Sequence, residues 1–332
     1  MGEFDLIERF FKRPARQAAL GIGDDCAILQ PRPGTQLAIS SDMLVEGRHF
    51  LNTVNPRHLG HKALAVNLSD LAACGAKPLA FTLALALPRA DEAWLGPFSE
   101  GLLALADEHR CELIGGDTTQ GPLNICITVF GEVPVVNGRS QALLRSGANA
   151  GDDLYVSGTL GDARLALEVF RGTVSVPAPV FEAARLRMEI PTPRVALGQA
   201  LRGVATSAID VSDGLLGDLG HVLKQSGVGA TVNAEIAIEL IAARAGSAWA
   251  RGLKGSEISL SQWRCWALTG GDDYELLFTA PPAARDAVAT AARESQTAIS
   301  RIGQIEAERG LRLLDRQGQS VPNTYTSFDH FA

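Results

Sequence analysis

Aspartate recurs beside glycine, serine or a second aspartate along this sequence. Asp24 and Asp25 follow Gly21-Ile22-Gly23, Asp42 follows Ser40-Ser41, and Asp70 closes Asn67-Leu68-Ser69-Asp70. Asp117 follows Gly115-Gly116, Asp210 and Asp213 flank Val211-Ser212, and Asp272 with Asp273 follows Gly270-Gly271. Any one of these could be a helix cap or a turn, because short polar side chains bond to nearby backbone N–H groups. Asp213, just before Gly214, could simply cap the helix that follows. Their recurrence at the ends of apolar strands points further. If those strands share one edge, the carboxylates converge there and repel one another. Divalent cations relieve the repulsion, and magnesium takes oxygen ligands, commonly a few carboxylates together with substrate phosphates. The chemistry expected is the handling of phosphate groups through magnesium.

The charge balance fits that chemistry. There are 30 Lys and Arg against 37 Asp and Glu, a net charge of −7. A nucleic-acid binder needs basic patches, and no strong basic run occurs, so no nucleic-acid partner is expected. ATP can still bind where metal ions lie between carboxylate and phosphate. Arg145 is a candidate phosphate contact, since a planar guanidinium matches phosphate geometry; a solvated residue between domains is the plainer alternative. Familiar nucleotide motifs are absent. No G-x-x-x-x-G-K-[ST] run is present, and Cys26 stands where the dinucleotide fingerprint has its third glycine. The protein-kinase motifs are missing too. His58 and His61 stand at helical spacing without an evident third ligand, which argues against zinc. His49 closely follows Asp42 in a polar segment and is the histidine with a candidate role.

Five cysteines, none in a CxxC pair, argue against a disulfide framework. The first residues, Met1-Gly2-Glu3-Phe4, lack a signal-peptide pattern, and the apolar run Leu79–Leu87 is too short to span a bilayer. A cytoplasmic protein with no membrane partner is expected.

These residues need elements to position them. The chain has 332 residues, beyond the roughly 250–300 at which single cores stop growing, so two domains are expected. The segment Arg145–Asp152, rich in small residues, marks the boundary and gives domains 1–148 and 149–332. Ile7, Phe10 and Phe11 mark a short first helix. Strands are expected at Leu37–Ser41, Leu79–Leu87 and Asn124–Val136, and helices at Pro56–Ala76 and Glu92–Asp107. Leu113 and Ile114 lead into the Gly115-Gly116-Asp117 turn. In the second half the strands are Leu154–Ser157, Ala208–Val211, Tyr274–Thr279 and Ser300–Ile305, with helices at Gly214–Ser226 and Pro282–Ser295. Strands alternating with helices in both halves imply α/β or α+β layers.

Read in order, the motifs resemble the thiamine-monophosphate kinase family. The matching stretches are Gly21–Ala27, Ser40–Gly47 with His49-Phe50, Ala65–Ala72, Gly115–Thr118, Ile209–Gly214, Gly270–Leu276 and Phe328–Phe331. The resemblance implies the two-domain fold of aminoimidazole ribonucleotide synthetase, with N-terminal sheets paired across a homodimer and a C-terminal α/β domain alongside. Carried over by motif, it implies magnesium ligands at Asp25, Ser40, Ser41, Asp42, Asp70, Asp117, Asp210 and Asp213. It implies ATP contacts at Gly116, Asp117, Arg145 and Ser212, and thiamine contacts at His49, Asp272 and Phe328, whose phenyl face could stack on a thiamine ring. The implied reaction is ATP plus thiamine monophosphate giving ADP and thiamine diphosphate. A sibling ATP-using synthetase of the same superfamily and a calcium-binding scaffold without nucleotide are the rival readings. Cys26 follows the Asp pair instead of lying in a Gly-rich N-terminal segment, which disfavours a selenophosphate synthetase.

Overall fold

The computed structural model describes residues 2–241 and 258–325. Two compact units divide the chain, residues 1–71 with 76–142, and residues 72–75 with 143–332. No helix among the described residues is long and apolar enough to cross a membrane.

The first unit is built on one sheet. Its strands are β1 (Thr35–Val45), β2 (Lys77–Leu87), β3 (Glu112–Gln120), β4 (Asn124–Val136) and the short β5 (Arg139–Ser140). They lie in the order β1-β4-β2-β3, with β5 paired to β4. β2 and β3 run parallel because helix α3 (Glu92–His109) makes the crossover between them; the other neighbours are antiparallel. β4 turns into β5 through Asn137-Gly138, both at positive φ, the two-residue hairpin that matches strand twist.

Helix α1 (Glu3–Phe10) forms as expected, but Leu6 and the following Phe11 are its buried residues, not Ile7 and Phe10. Helix α2 (Pro56–Ala73) starts on proline, and the Asn55 side chain accepts the Arg57 N–H at 2.9 Å. Its apolar face, Leu64, Leu68 and Leu71, is buried. α2 and α3 cross so closely that a Cβ on Gly60 would meet the Phe98 carbonyl oxygen at 2.0 Å, and one on Gly101 the Arg57 carbonyl oxygen at 1.8 Å. Glycine at both points lets backbone touch backbone. Leu71 packs against Gly131 of β4, so α2 covers that face. On the opposite face Leu37, Ile39 and Met43 of β1 stay 43%, 60% and 51% exposed.

The second unit holds a seven-stranded sheet. Its strands are β6 (Asp153–Ser157), β7 (Ser207–Val211), β8 (Gly229–Asn233), β9 (Glu275–Ala280), β10 (Ile299–Glu306), β11 (Gly310–Leu314) and β12 (Ser320–Val321). Their order is β12-β11-β8-β10-β6-β9-β7, antiparallel except for β11 beside β8. The helices include α4 (Asp162–Phe170), α5 (Ala178–Glu189), α6 (Val195–Ala200), α7 (Leu215–Ser226), α8 (Ala234–Glu239), α9 (Leu260–Thr269) and α10 (Arg285–Glu294). Leu165, Leu219, Val222, Trp263 and Leu277 meet in the core of this unit. The chain is therefore a mixed α/β protein with two sheets.

A buried ion pair pins the start of β6. Arg285 donates to both Asp153 oxygens at 2.7 and 3.0 Å, Arg301 adds a bond at 3.0 Å, and the Tyr155 hydroxyl another at 3.2 Å. The Arg285 hydrogen bonds, helped by Arg301 and Tyr155, hold the Asp153 carboxyl below the usual carboxylate range against the opposing effect of burial. A depressed folded-state pKa stabilises fully above the unfolded value near ~3.9 and is lost as pH falls through the folded one. Asp153→Asn should therefore lower the urea midpoint at pH 7, with the gap from wild type narrowing at pH 3. An equal loss at both pH values would contradict this assignment.

Candidate functional site

Each unit presents its own half of the candidate residues. In the first unit they lie inside strands more often than at strand ends. Ser40, Ser41 and Asp42 are within β1, and Gly116 and Asp117 are within β3 rather than in a turn. The register aligns Asp42 with Ile127, Ile127 with Leu83, and Leu83 with Gly116. Asp42 and Gly116 thus share one row across the sheet, three strand spacings or about 14 Å apart.

Ser40 and Asp42 face α2. The Ser40 hydroxyl donates to the Asp70 carboxylate, and the Asp42 N–H donates to Asn67 Oδ1 at 3.0 Å. Strand alternation sends Ser41 to the other side. There its hydroxyl lies 3.0 Å from Thr128 Oγ1 and 3.2 Å from the Ile127 carbonyl oxygen. The structure gathers Ser40, Asp42 and Asp70 on the α2 side and leaves the Ser41 hydroxyl out.

Asp25, Gly116 and Asp117 meet at a cleft of about 780 Å³, walled by Phe4, Ile7 and Phe11 of the N-terminal segment. Asp25 and Asp117 are both exposed to it. Gly116 has φ +145°, and a Cβ there would meet the Leu83 carbonyl oxygen at 1.8 Å, so only glycine lets β3 approach β2 at this point. A second cleft of about 770 Å³ at Arg13, Arg16, Lys77 and Arg110 contains none of the candidate residues. Its two carboxylates are occupied, Asp107 by Arg13 and Glu112 by the backbone N–H groups of residues 16–18.

His49 lies in the tight turn that follows β1. Its Nδ1 accepts the Val45 N–H at 3.0 Å, so the neutral ring carries its proton on Nε2.

In the second unit two loops run side by side. The first leaves β7 after Val211, just past Asp210, and carries Ser212 and Asp213 into α7. The second is Gly270–Tyr274, before β9. Asp272 donates its N–H to the Ser212 carbonyl at 2.7 Å, and Tyr274 donates to the Val211 carbonyl at 2.8 Å. Gly271, at φ +67°, has no room for a Cβ, which would meet the Ser212 carbonyl oxygen at 2.7 Å. Asp210, Ser212, Asp213 and Asp272 are brought together here.

Asp213 does not cap α7. The N-cap is Gly214, without a side-chain bond. Asp218, which sequence reasoning missed, satisfies the backbone there instead. Its Oδ2 accepts the N–H groups of Ser212 and Asp213 at 3.1 and 3.2 Å. Burial, with the nearby Asp213 charge, pushes the Asp218 carboxyl up to about 7, against the opposing backbone donors. Asp five residues after Asp213, on the inner face of an amphipathic helix, was the available signal.

Arg145 lies beside β7, where the neighbouring Leu144 carbonyl accepts the Ala208 N–H at 2.9 Å, two residues before Asp210. The Arg145 carbonyl accepts the Ser226 hydroxyl at the C-terminal end of α7. Phe328 lies outside the described residues.

Among the described residues no three His, Cys, Asp or Glu side chains form a metal-holding group by themselves. The available donors are oxygens, partly exposed and few in each place. That suits magnesium, which completes its shell with water and substrate phosphate, better than zinc or a closed calcium cage.

Comparison with known proteins gives a consistent picture. Residues 23–133 match the AIR synthase related protein, N-terminal domain, and residues 149–316 match the AIR synthase related protein, C-terminal domain. The thiamine-monophosphate kinase of Salmonella typhimurium is 44% identical over 337 residues, covering 100% of this chain and 98% of the relative. The crystal structure of thiamine-monophosphate kinase from Stenotrophomonas maltophilia K279a superposes with a TM-score of 0.80 at 45% identity, covering 92% of each chain. AaThiL complexed with AMPPCP and TMP gives a TM-score of 0.75 at 28% identity, covering 91% of this chain and 89% of that one.

Proposed function

The chain belongs to the thiamine-monophosphate kinases of the AIR synthase related family, and we propose that it passes the ATP γ-phosphate directly and in line to the phosphate of thiamine monophosphate, with no phosphoenzyme. It is an ATP-dependent phosphotransferase whose products are thiamine diphosphate and ADP. The observation that carries the site assignment is the convergence of Asp25, Gly116 and Asp117 on one cleft. A relative holding AMPPCP and TMP together supports direct transfer.

The acceptor is already an anionic phosphate oxygen, because the second pKa of a phosphomonoester is near ~6. No strong general base is therefore required. What the protein must do is hold two anions in line and close together. Asp25, Asp70, Asp117, Asp210 and Asp213, with Ser40 and Asp42, would hold magnesium. Ser41 would join them through its backbone, since its hydroxyl faces Thr128. Bound there, magnesium supplies charge neutralisation at the phosphate oxygens and a template for their alignment. Ser40 donates to Asp70 and so fixes which oxygen of that carboxylate stays available. Gly116, Asp117 and Ser212 would meet ATP, and His49, Asp272 and Phe328 the thiamine substrate. Arg145 keeps an ATP contact on the strength of the family resemblance alone.

A homodimer paired through its N-terminal sheets fits the open face at Leu37, Ile39 and Met43, which a partner sheet would cover. A monomer mass by light scattering at micromolar concentration would refute it. Free thiols throughout the described cysteines suit the cytoplasm.

The test is an end-point assay of the purified protein with Mg-ATP and thiamine monophosphate. ADP and thiamine diphosphate should appear in equal amounts. ATP turnover with a different acceptor only would favour a sibling activity, and failure to bind nucleotide by calorimetry would favour the scaffold.

A further inference from the structure

Glu275 opens β9 directly after the loop that carries Asp272, and it is wholly buried. Its carboxylate is enclosed by donors. Arg187 of α5 reaches Oε1 at 2.8 Å, and Arg194, just before α6, forks onto both oxygens at 2.6 Å. The Ser157 hydroxyl donates to Oε2 at 2.6 Å. Gly158 makes room for the group, since a Cβ there would lie 2.0 Å from Oε1. Arg187 also reaches the Asp273 carbonyl at 3.5 Å.

The segment these contacts anchor is strained. Asp272 and Tyr274 are non-glycine residues at φ 63° and 51°. Between them the buried Asp273 carboxylate accepts the Gly161 N–H at 2.9 Å. Left-handed backbone at such residues persists only where the surroundings over-determine it. A buried ionic cluster is also a weak source of stability alone, because a well-packed apolar replacement often does as well. What such a cluster supplies is direction, since the fork from Arg194 and the bond from Arg187 of α5 together fix the orientation of the strand start.

We propose that Glu275, held by Arg187 and Arg194, is a positioning residue that sets the left-handed Gly271–Tyr274 turn and thereby the placement of Asp272 against Ser212. The inference rests on the reading that Asp272 meets the thiamine substrate and Ser212 the nucleotide. Asp272 and Ser212 are joined by one backbone hydrogen bond, so a shift of the turn moves both contacts together.

Glu275→Gln keeps the shape and removes the charge. Assayed well below its melting temperature, with its circular dichroism matched to wild type, it should raise the KM for thiamine monophosphate at least about tenfold and the KM for ATP by less. Arg187→Lys keeps the charge but loses the reach to the Asp273 carbonyl. It should raise the thiamine monophosphate KM several-fold while the melting temperature stays close to wild type, and it decides the matter if Glu275→Gln fails to fold. Wild-type KM values in every folded variant of this pair would overturn the proposal, leaving the cluster a stabilising one only. Asp272→Ala separates the two levels. If it raises the thiamine monophosphate KM while the cluster variants do not, the positioning proposal alone fails. If Asp272→Ala also leaves that KM unchanged, the substrate reading of Asp272 falls and the proposal with it.

Discussion

Asp117→Asn should lower turnover at least about 100-fold, the scale on which single preorganised charge-stabilising groups act in enzymes, while the protein melts within about 2 °C of wild type. Asparagine keeps the size and one oxygen but loses the charge that draws a cation. The side chain is exposed at the cleft, and exposed substitutions away from special backbone cost little stability. Activity and stability should therefore separate cleanly. Asp70→Asn should lose activity on the same scale, with a larger stability change because Asp70 also accepts the Ser40 hydroxyl. Steady-state kinetics with thermal melts check both. Wild-type turnover in both variants would remove the metal-ligand assignment.

Gly116→Ala should be the most disruptive single methyl group in the first unit. The added carbon would sit 1.8 Å from the Leu83 carbonyl oxygen, on a backbone at φ +145° that side chains rarely adopt. Strain of about 1–3 kcal/mol from the backbone and a similar amount from overpacking add to a loss of about 2–6 kcal/mol. The melting transition of the first unit should fall by on the order of 10 °C, and nucleotide binding should be lost with the local geometry. Gly115→Ala is the control on the neighbouring residue. A Cβ there meets only Thr82 Cγ2, at 3.9 Å, so its melting temperature should stay within a few degrees of wild type. Equal melting temperatures in the two variants would contradict the close β2–β3 approach.

The motifs were legible because their residue types are chemically constrained. Gly115-Gly116-Asp117 needs glycine where two strands touch, and that requirement shows in one sequence. Apolar runs bounded by proline or glycine, such as Leu79–Leu87 and Asn124–Val136, gave their strands directly. β8, β11 and β12 did not show. Gly229–Asn233 has Val232 as its one large apolar residue, too little for an apolar pattern to show, and its strand character comes from being enclosed by β10 and β11. Asp42 and Asp117 were expected beside strands and lie within them, because β1 and β3 continue into polar sequence where ladder bonds, not side-chain hydropathy, define the element. Asp218 escaped notice because its role is set by three-dimensional proximity to residues 212 and 213.

The central claim is that these carboxylates hold metal rather than attack phosphorus. A single-turnover experiment with ATP labelled at the γ-phosphate, excess protein, magnesium and thiamine monophosphate tests it directly. The label should pass from ATP to thiamine diphosphate in one exponential phase, with none bound to protein at any quench time, and should stay in ATP when magnesium is chelated. A protein-bound label that forms and decays at the rate of product formation would contradict it.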